Sequence, residues 1–297
     1  MSRVTRYQRL PTEQPNPRTR ALDTLSVEAV LRLMHREDRR AVQAVARQRA
    51  AIAQAVRLIT EALRRGGRLI FLGAGTSGRL GVLEAAECPP TFQTAPSLVQ
   101  AFMAGGRGAV FRSREGAEDD GEAARRLAQR RIRRGDVVVG IAASGVTPFV
   151  GAGLRTAARR GARTVLVTCH PGSRISAEVR IALSVGPEVL AGSTRLKAGT
   201  ATKLVLNMLT LAAMVQLGKT YGNLMVDVRP TSRKLRARAL HMLRTLTGCS
   251  EPLARRLLRQ TRGRVKVAAL MARKRLTAGQ ARRRLAQSRD SLRRALA

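Results

Sequence analysis

Between Leu69 and Glu84 the chain runs through an apolar stretch (Leu69 to Leu72), a small, hydroxyl-bearing stretch (Gly73-Ala-Gly-Thr-Ser-Gly78) and a stretch with helical spacing (Leu80, Val82, Leu83). That order predicts a buried strand, a tight turn and a helix N-terminus, which is how a parallel α/β domain makes an anion site. Glycines let the backbone approach, unpaired N–H groups point at the ligand, and the helix dipole favours negative charge. Glu84 and Glu87 follow the loop along the helix. A phosphate cradle with carboxylates beside it implies chemistry on a phosphorylated small molecule.

Gly73, Gly75 and Gly78 also satisfy G-x-G-x-x-G, the dinucleotide pattern. The nicotinamide version needs an acid about 20 residues on to hold a ribose, yet no Asp or Glu occurs from Thr91 to Val110. Thr76 and Ser77 stand where such folds favour residues without hydroxyls. A dinucleotide site is disfavoured on both counts.

The surrounding chain repeats the alternation. Short β-rich pieces lie near 98–103, 137–141, 164–169 and 181–185, with helical segments at 79–88, 114–131, 148–159 and 173–178 and a long helix over 194–217. Strands alternating with helices predict a doubly wound parallel sheet with flanking helices. Residues 1–24 read as extended. Ser26 is a good N-cap for a helix from Val27, and a second helix is expected over 37–65. After Asp227 the pattern is helical throughout, near 232–246, 250–261, 264–273 and 277–295, with Gly248, Gly263 and Gly279 as separators. The domains expected are an N-terminal extension and helix over 1–50, a catalytic domain over 51–228 and a small helical domain over 229–297.

A second loop follows the logic of the first. The strand ending at Ile141 feeds Ser144, Gly145 and Thr147, and Pro148 suits the first turn of the next helix. Two such loops at carboxyl ends of parallel strands suit a phosphomonoester.

Charge bears on the class of ligand. The net charge is +37, carried almost wholly by Arg and spread over every helix expected to be exposed, while aromatic residues make up 2% and Trp is absent. Single-strand binders interleave aromatics with their cations, so a nucleic-acid role is not required. Cys88, Cys169 and Cys249 lack metal-ligand spacing and read as reduced thiols. The apolar segment over 204–217 is interrupted by Asn207, Thr210 and Gln216 and is too short to span a bilayer. The polar, Arg-rich first twenty residues are unlike a signal peptide, so a cytoplasmic location is expected. No metal or cofactor is called for.

Acids are scarce enough for their clustering to matter. Glu115, Glu118, Asp119 and Asp120 crowd one helix start. A helix dipole explains some of them, and one could pair with Glu87 in acid/base work.

These stretches together resemble the N-acetylmuramic acid 6-phosphate etherases, which carry the sugar isomerase (SIS) fold. The matching segments are Gly73–Leu83, Glu87–Phe92, Glu115–Asp119, Val137–Gly145, Val185–Thr200 and Lys203–Val228, with Thr12-Glu13, Asn16-Pro17 and Leu22-Asp23. The resemblance covers essentially the whole chain. It implies cleavage of a D-lactyl ether by elimination and water addition in cell-wall sugar recycling, without metal, by a homodimer with a small UBA-like C-terminal domain. It places the acid/base pair on Glu87 and Glu118, with neither role assigned. It places substrate and phosphate contacts on Thr76, Ser77, Gly78, Ser144, Gly145, Thr147, Ser193 and Lys197. Val146 stands where Arg is common in the family, His170 where Asn is usual and Glu84 where Asp is common. The alternative is a non-catalytic sugar-phosphate regulator of the same fold, such as the glucokinase regulatory protein; an isomerase is a weaker third.

Overall fold

The computed structural model describes residues 8, 10–228 and 230–297. The start of the extended segment expected over 1–24, and Arg229 at the expected domain boundary, lie outside them. The chain divides into two compact units, Met1–Ala86 with Ser97–Thr210, and Glu87–Pro96 with Leu211–Ala297.

The first unit is built on five parallel strands, β1 (Leu69–Gly73), β2 (Val99–Met103), β3 (Val137–Ile141), β4 (Arg163–Thr168) and β5 (Val179–Ala182), in the order β2-β1-β3-β4-β5. β1 and β3 are buried along their whole length, because helices cover both faces of the sheet. Nearly continuous apolar runs are the sequence mark of such strands. The helices are α1 (Val27–Arg47), α2 (Arg49–Arg64), α3 (Gly75–Phe92), a short α4 (Gly108–Phe111), α5 (Gly121–Arg131), α6 (Pro148–Arg159) and α7 (Lys197–Gln216). One face packs Ile70, Leu72, Val138 and Leu166 against Ala124 and Ala128 of α5 and Val150 and Leu154 of α6. Gly153 lets α6 come this close, since a Cβ there would lie 2.1 Å from Leu72 Cδ2. α2 packs on β1, β3 and β5.

Two buried carboxylates tie distant segments together. Asp136 accepts from Arg68 N at 3.1 Å, Arg68 Nη2 at 2.6 Å and Arg133 N at 3.0 Å, fixing the approaches to β1 and β3. Glu37 of α1 meets Lys197 Nζ at 2.5 Å, Arg40 Nη1 at 3.0 Å and Asn16 Nδ2 at 3.2 Å. Asn16 also donates to Pro187 O at 3.3 Å, pinning the N-terminal segment.

Several element expectations need correction. The single helix over 37–65 is two, α1 and α2, broken at Gln48, and α1 begins where Ser26 Oγ accepts from Ala29 N at 3.3 Å. The helix over 114–131 starts at Gly121, after a 3-10 turn over Ala117–Asp119. No helix forms over 173–178. Ser173 Oγ there donates to Gly145 O at 2.6 Å and accepts from Ile175 N at 3.3 Å, so side chains take the backbone groups a helix would need. α7 is 20 residues long, and among the described residues it is the one helix with the length and hydropathy of a membrane span. Ala198, Ala201, Val205, Leu206 and Leu209 are fully buried along it, so its apolarity is that of a core helix.

The second unit holds α8 (Arg233–Thr247), α9 (Glu251–Gln260), α10 (Val265–Lys274), α11 (Ala278–Gln287) and α12 (Leu292–Leu296) around a core of Leu243, Ala254, Leu257, Val267, Leu270, Ala281, Leu285 and Leu292. Ser232 caps α8 and Gly248, at φ 70°, ends it. Gly279 is not a separator: it lies in the first turn of α11, which Thr277 caps with Gln280. The helix expected over 277–295 breaks at Arg289 and Asp290, at φ 52° and 58°. That turn presents Asp290 to Lys266 at 3.0 Å and Lys219 at 3.1 Å, beside Asp227.

Candidate functional site

Both Ser/Thr loops of the first unit open into one cavity of about 260 Å3, lined by Leu10, Glu13, Ala74, Gly75, Thr76, Ser77, Glu118, Asp119, Ile141, Ala143, Ser144, Val146, Thr147, Pro148, Gly192 and Thr194. The first loop is shorter than its sequence suggests. α3 begins at Gly75, so Thr76 and Ser77 occupy its first turn, where backbone N–H groups have no intrahelical partner. Gly78 is buried behind them; a Cβ there would lie 2.7 Å from Met103 Cγ and 2.9 Å from Gly73 O. It shapes the turn and does not line the cavity.

In the second loop Gly145 sits at φ 73°, and a Cβ on it would come within 2.8 Å of His170 Cβ and 2.9 Å of Ser173 Cβ. The turn is closed by Gly145 N donating to Ala142 O at 2.9 Å. Ser144 Oγ and Thr147 Oγ1 are 3.5 Å apart on the cavity side. Thr147 precedes α6 without capping it through its side chain. Two helix N-termini, those of α3 and α6, therefore meet the cavity with hydroxyls beside them, a setting for a phosphate.

The acidic cluster separates by role. Asp120 caps α5, accepting from Ala123 N at 2.7 Å, and Glu122 pairs with Arg125 at 2.6 Å. Glu115 accepts from Ser113 Oγ at 3.0 Å. Glu118 and Asp119 face the cavity. Desolvation raises the Glu118 pKa from its ordinary value, and the charges of Asp119, Glu115 and Glu13 add to it. Glu84, a candidate acid in the sequence, is buried and consumed: its carboxylate accepts from Asn207 Nδ2 at 2.7 Å and from the Thr210 hydroxyl.

Comparison with known proteins places the chain. A profile described as the SIS domain matches residues 117–212, and one described as the glucokinase regulatory protein N-terminal SIS domain matches 51–158. The N-acetylmuramic acid 6-phosphate etherase of Picosynechococcus sp. is 50% identical over 290 residues, covering 97% of this chain and 96% of the relative. That of Geobacillus thermodenitrificans is 51% identical over 290 residues, covering 97% and 98%. That of Gloeobacter violaceus is 55% identical over 265 residues, covering 88% and 87%. The chain belongs to the N-acetylmuramic acid 6-phosphate etherase family. It is an α/β chain of SIS type, and near-full-length identity to etherases outweighs a regulatory reading that rests on one domain.

Seen as an etherase-family site, the cavity gathers Thr76, Ser77, Ser144, Thr147 and Glu118 of the expected residues. Lys197 lies outside the cavity lining. It is 1% exposed and paired with Glu37. Its backbone N–H and that of Ala198 donate to buried Glu188 at 3.2 and 2.9 Å, capping α7. Ser193 does not line the cavity either; its neighbours Gly192 and Thr194 do. Glu87 is exposed on the last turns of α3, in the second compact unit. His170 is half-buried beside Gly145, and burial lowers its pKa. Sequence reasoning missed Glu13 and Thr194 as cavity residues, while Asp119 stood among the clustered acids it weighed. Thr12-Glu13 was visible as part of the resemblance, with no chemical signal of its own.

Proposed function

We infer that this chain is an N-acetylmuramic acid 6-phosphate etherase, cleaving the D-lactyl ether to give N-acetylglucosamine 6-phosphate and D-lactate. The observation that carries this is one cavity joining two hydroxyl-bearing helix N-termini to a carboxyl of raised proton affinity, Glu118, in a chain half identical to etherases along its length.

The phosphate sits on the N-termini of α3 and α6 and accepts from Thr76, Ser77, Ser144 and Thr147. The sugar reacts ring-opened, because the C1 aldehyde acidifies the C2 proton. One carboxylate removes that proton. As the electron pair moves into a C2–C3 double bond, the C3–O bond to lactate breaks and a protonated carboxyl supplies the proton to the departing oxygen. Water then adds at C3 of the unsaturated aldehyde, and C2 is reprotonated. A carboxyl whose proton affinity is raised by burial and by neighbouring carboxylates is suited to either proton transfer, each worth about 10²–10⁴-fold. Glu118 is one of the pair; Glu87 enters on the resemblance, and the order of roles stays open between them.

The working form is a cytoplasmic homodimer. Support for an assembly comes from α7, whose Met208, Leu211 and Val215 are 43%, 53% and 45% exposed along one side.

The test is D-lactate release from N-acetylmuramic acid 6-phosphate by wild type, Glu118→Gln and Glu87→Gln. Lactate from wild type and a loss of at least about 10²-fold in each variant supports the assignment. Binding without lactate supports the regulatory reading instead.

A further inference from the structure

The second unit carries a groove of about 610 Å3 that the ether chemistry does not use. Two helical stripes of the same spacing line it. Arg233, Arg236, Ala237 and Leu240 stand at i, i+3, i+4 and i+7 on α8, and Arg255, Leu258, Arg259 and Arg262 repeat that spacing along α9 and the turn after it. Residues so spaced share one helix face, and α8 and α9 pack on one another. Leu240 and Leu258 are half-buried and rooted in the unit's core, while the five arginines are exposed. The groove therefore has an apolar floor with arginines from both helices around it.

These cations are not spent within the unit. The described lining residues include no Asp or Glu, and among the described residues Arg255 is the one arginine of the five in an ion pair, with Glu251 at 2.6 Å. From 230 to 297 the sequence has two acids, Glu251 and Asp290, and Asp290 is taken by Lys219 and Lys266. Arg255 and Arg259 stand at i, i+4, a like-charge spacing that costs a helix stability. Arg262 adopts φ 52°, a left-handed conformation that favours Gly or Asn. An opposite charge laid into the groove would relieve the repulsion.

We propose that this groove is a docking surface for an acidic, amphipathic segment of another protein, which lies in it as a helix with its apolar side chains on Leu240 and Leu258 and its carboxylates on the arginines. Guanidinium forks take carboxylates bidentately, and the floor gives the apolar face of such a helix somewhere to be buried. A single-stranded nucleic acid calls for stacking rings, and none is among the described lining residues. A second copy of this chain does not supply the segment, because its acid-rich stretch from Glu115 to Glu122 has no apolar side chain larger than Ala.

The test is fluorescence anisotropy of a labelled synthetic peptide of glutamate and leucine, its leucines repeating at i, i+3, i+4 and i+7, titrated with full-length protein at about 0.15 M salt, where diffuse surface attraction is screened. Binding is expected to weaken at least about tenfold in Arg236→Glu/Arg259→Glu and less in Arg236→Gln/Arg259→Gln. It should be kept in Arg32→Glu/Arg36→Glu, which makes the same charge change on exposed α1 positions. A peptide with its leucines replaced by serine should bind at least about tenfold more weakly at equal charge. The melting midpoint and D-lactate release of the groove variants should match wild type. No binding to wild type, an equal loss in the α1 variant, or equal affinity for both peptides overturns the proposal. So does tighter binding of a single-stranded oligonucleotide that the groove variant abolishes, which would make the surface a nucleic-acid site. The peptide arms read out whether or not the protein releases lactate, so failure of the etherase reading is told apart from failure of this one.

Discussion

Replacing Lys197 by Met separates two roles that the same residue could hold. As a ligand contact, its loss would weaken substrate binding and leave the fold alone. The structure instead buries Lys197 at 1% exposure against Glu37 at 0%, which makes the loss a matter of stability. Removing one member of a buried pair costs roughly 3–5 kcal/mol, because the survivor remains desolvated. Glu37 keeps Asn16 and Arg40, so Lys197→Met belongs at the low end. Glu37→Gln strips Lys197 of its carboxylate and belongs at the high end. In a unit of about 200 residues 1 kcal/mol moves the melting midpoint by about 2–4 °C, so Lys197→Met should lower it by roughly 6–12 °C. The pH dependence has a definite sign. Burial pushes the Glu37 carboxyl up, and Lys197, Arg40 and Asn16 together outweigh it, leaving the pKa below its ordinary value. The stabilisation is therefore present above the ordinary carboxylate range and is lost as pH falls through the lowered value. In Lys197→Met that loss should begin at higher pH. Melts followed by circular dichroism from pH 3 to 8, with KM measured well below the midpoint, check both points. An unchanged midpoint with KM raised tenfold or more would refute the reasoning.

Thr76→Val and Ser144→Ala each remove a hydroxyl from the phosphate cradle. A hydrogen bond to a charged group is worth about 1.5–3 kcal/mol, so steady-state kinetics should show KM raised roughly tenfold to a hundredfold with the melting midpoint kept. Gly145→Ala forces a Cβ onto His170 and Ser173 at φ 73°; it should destabilise by more than about 1 kcal/mol in denaturant titration and raise KM as well. Asp136→Ala takes the carboxylate from Arg68, which keeps Arg131 O, and leaves two backbone donors without their acceptor, and calorimetry should find a loss of roughly 3–5 kcal/mol. Cys169, buried and pushed up to about 12, should resist iodoacetamide at pH 8 until the protein unfolds, as mass spectrometry would record.

What was legible in the sequence was local. Leu69 to Leu72 and Val137 to Ile141 declared themselves as strands because both faces of the sheet are covered, and Gly73 and Gly145 marked where each must turn. The boundary of α3 was missed by four residues because its first turn is made of Gly, Thr and Ser, which score as loop. The segment over 173–178 was misread because Ser173 and the Thr164 hydroxyl, which accepts from Glu178 N at 3.1 Å, satisfy its backbone from outside. Lys197 was placed at the ligand by the resemblance alone, and its ion pair with Glu37, 160 residues away, left no sign in the sequence. Glu13 offered no periodicity and no neighbour to suggest a cavity. Pairings over such separations leave no local trace, and they are what the fold itself had to supply.

Among the described residues the cavity lining holds no Lys, Arg or His, and that has a kinetic consequence. Capture and retention of the substrate are assigned to different parts of the molecule. Arginines spread over the surface draw a dianion in from a distance that shrinks with the Debye length, about 10 Å at 0.1 M salt. Once inside, the dianion meets hydroxyls, helix ends and the carboxylates of Glu13, Glu118 and Asp119, and among the described lining residues none offers it a full opposite charge. Added salt should therefore slow encounter and lower kcat/KM, while kcat, set within a cavity that small ions screen poorly, stays level. A protein so basic at its surface would release a sugar phosphate as readily as one of ordinary charge.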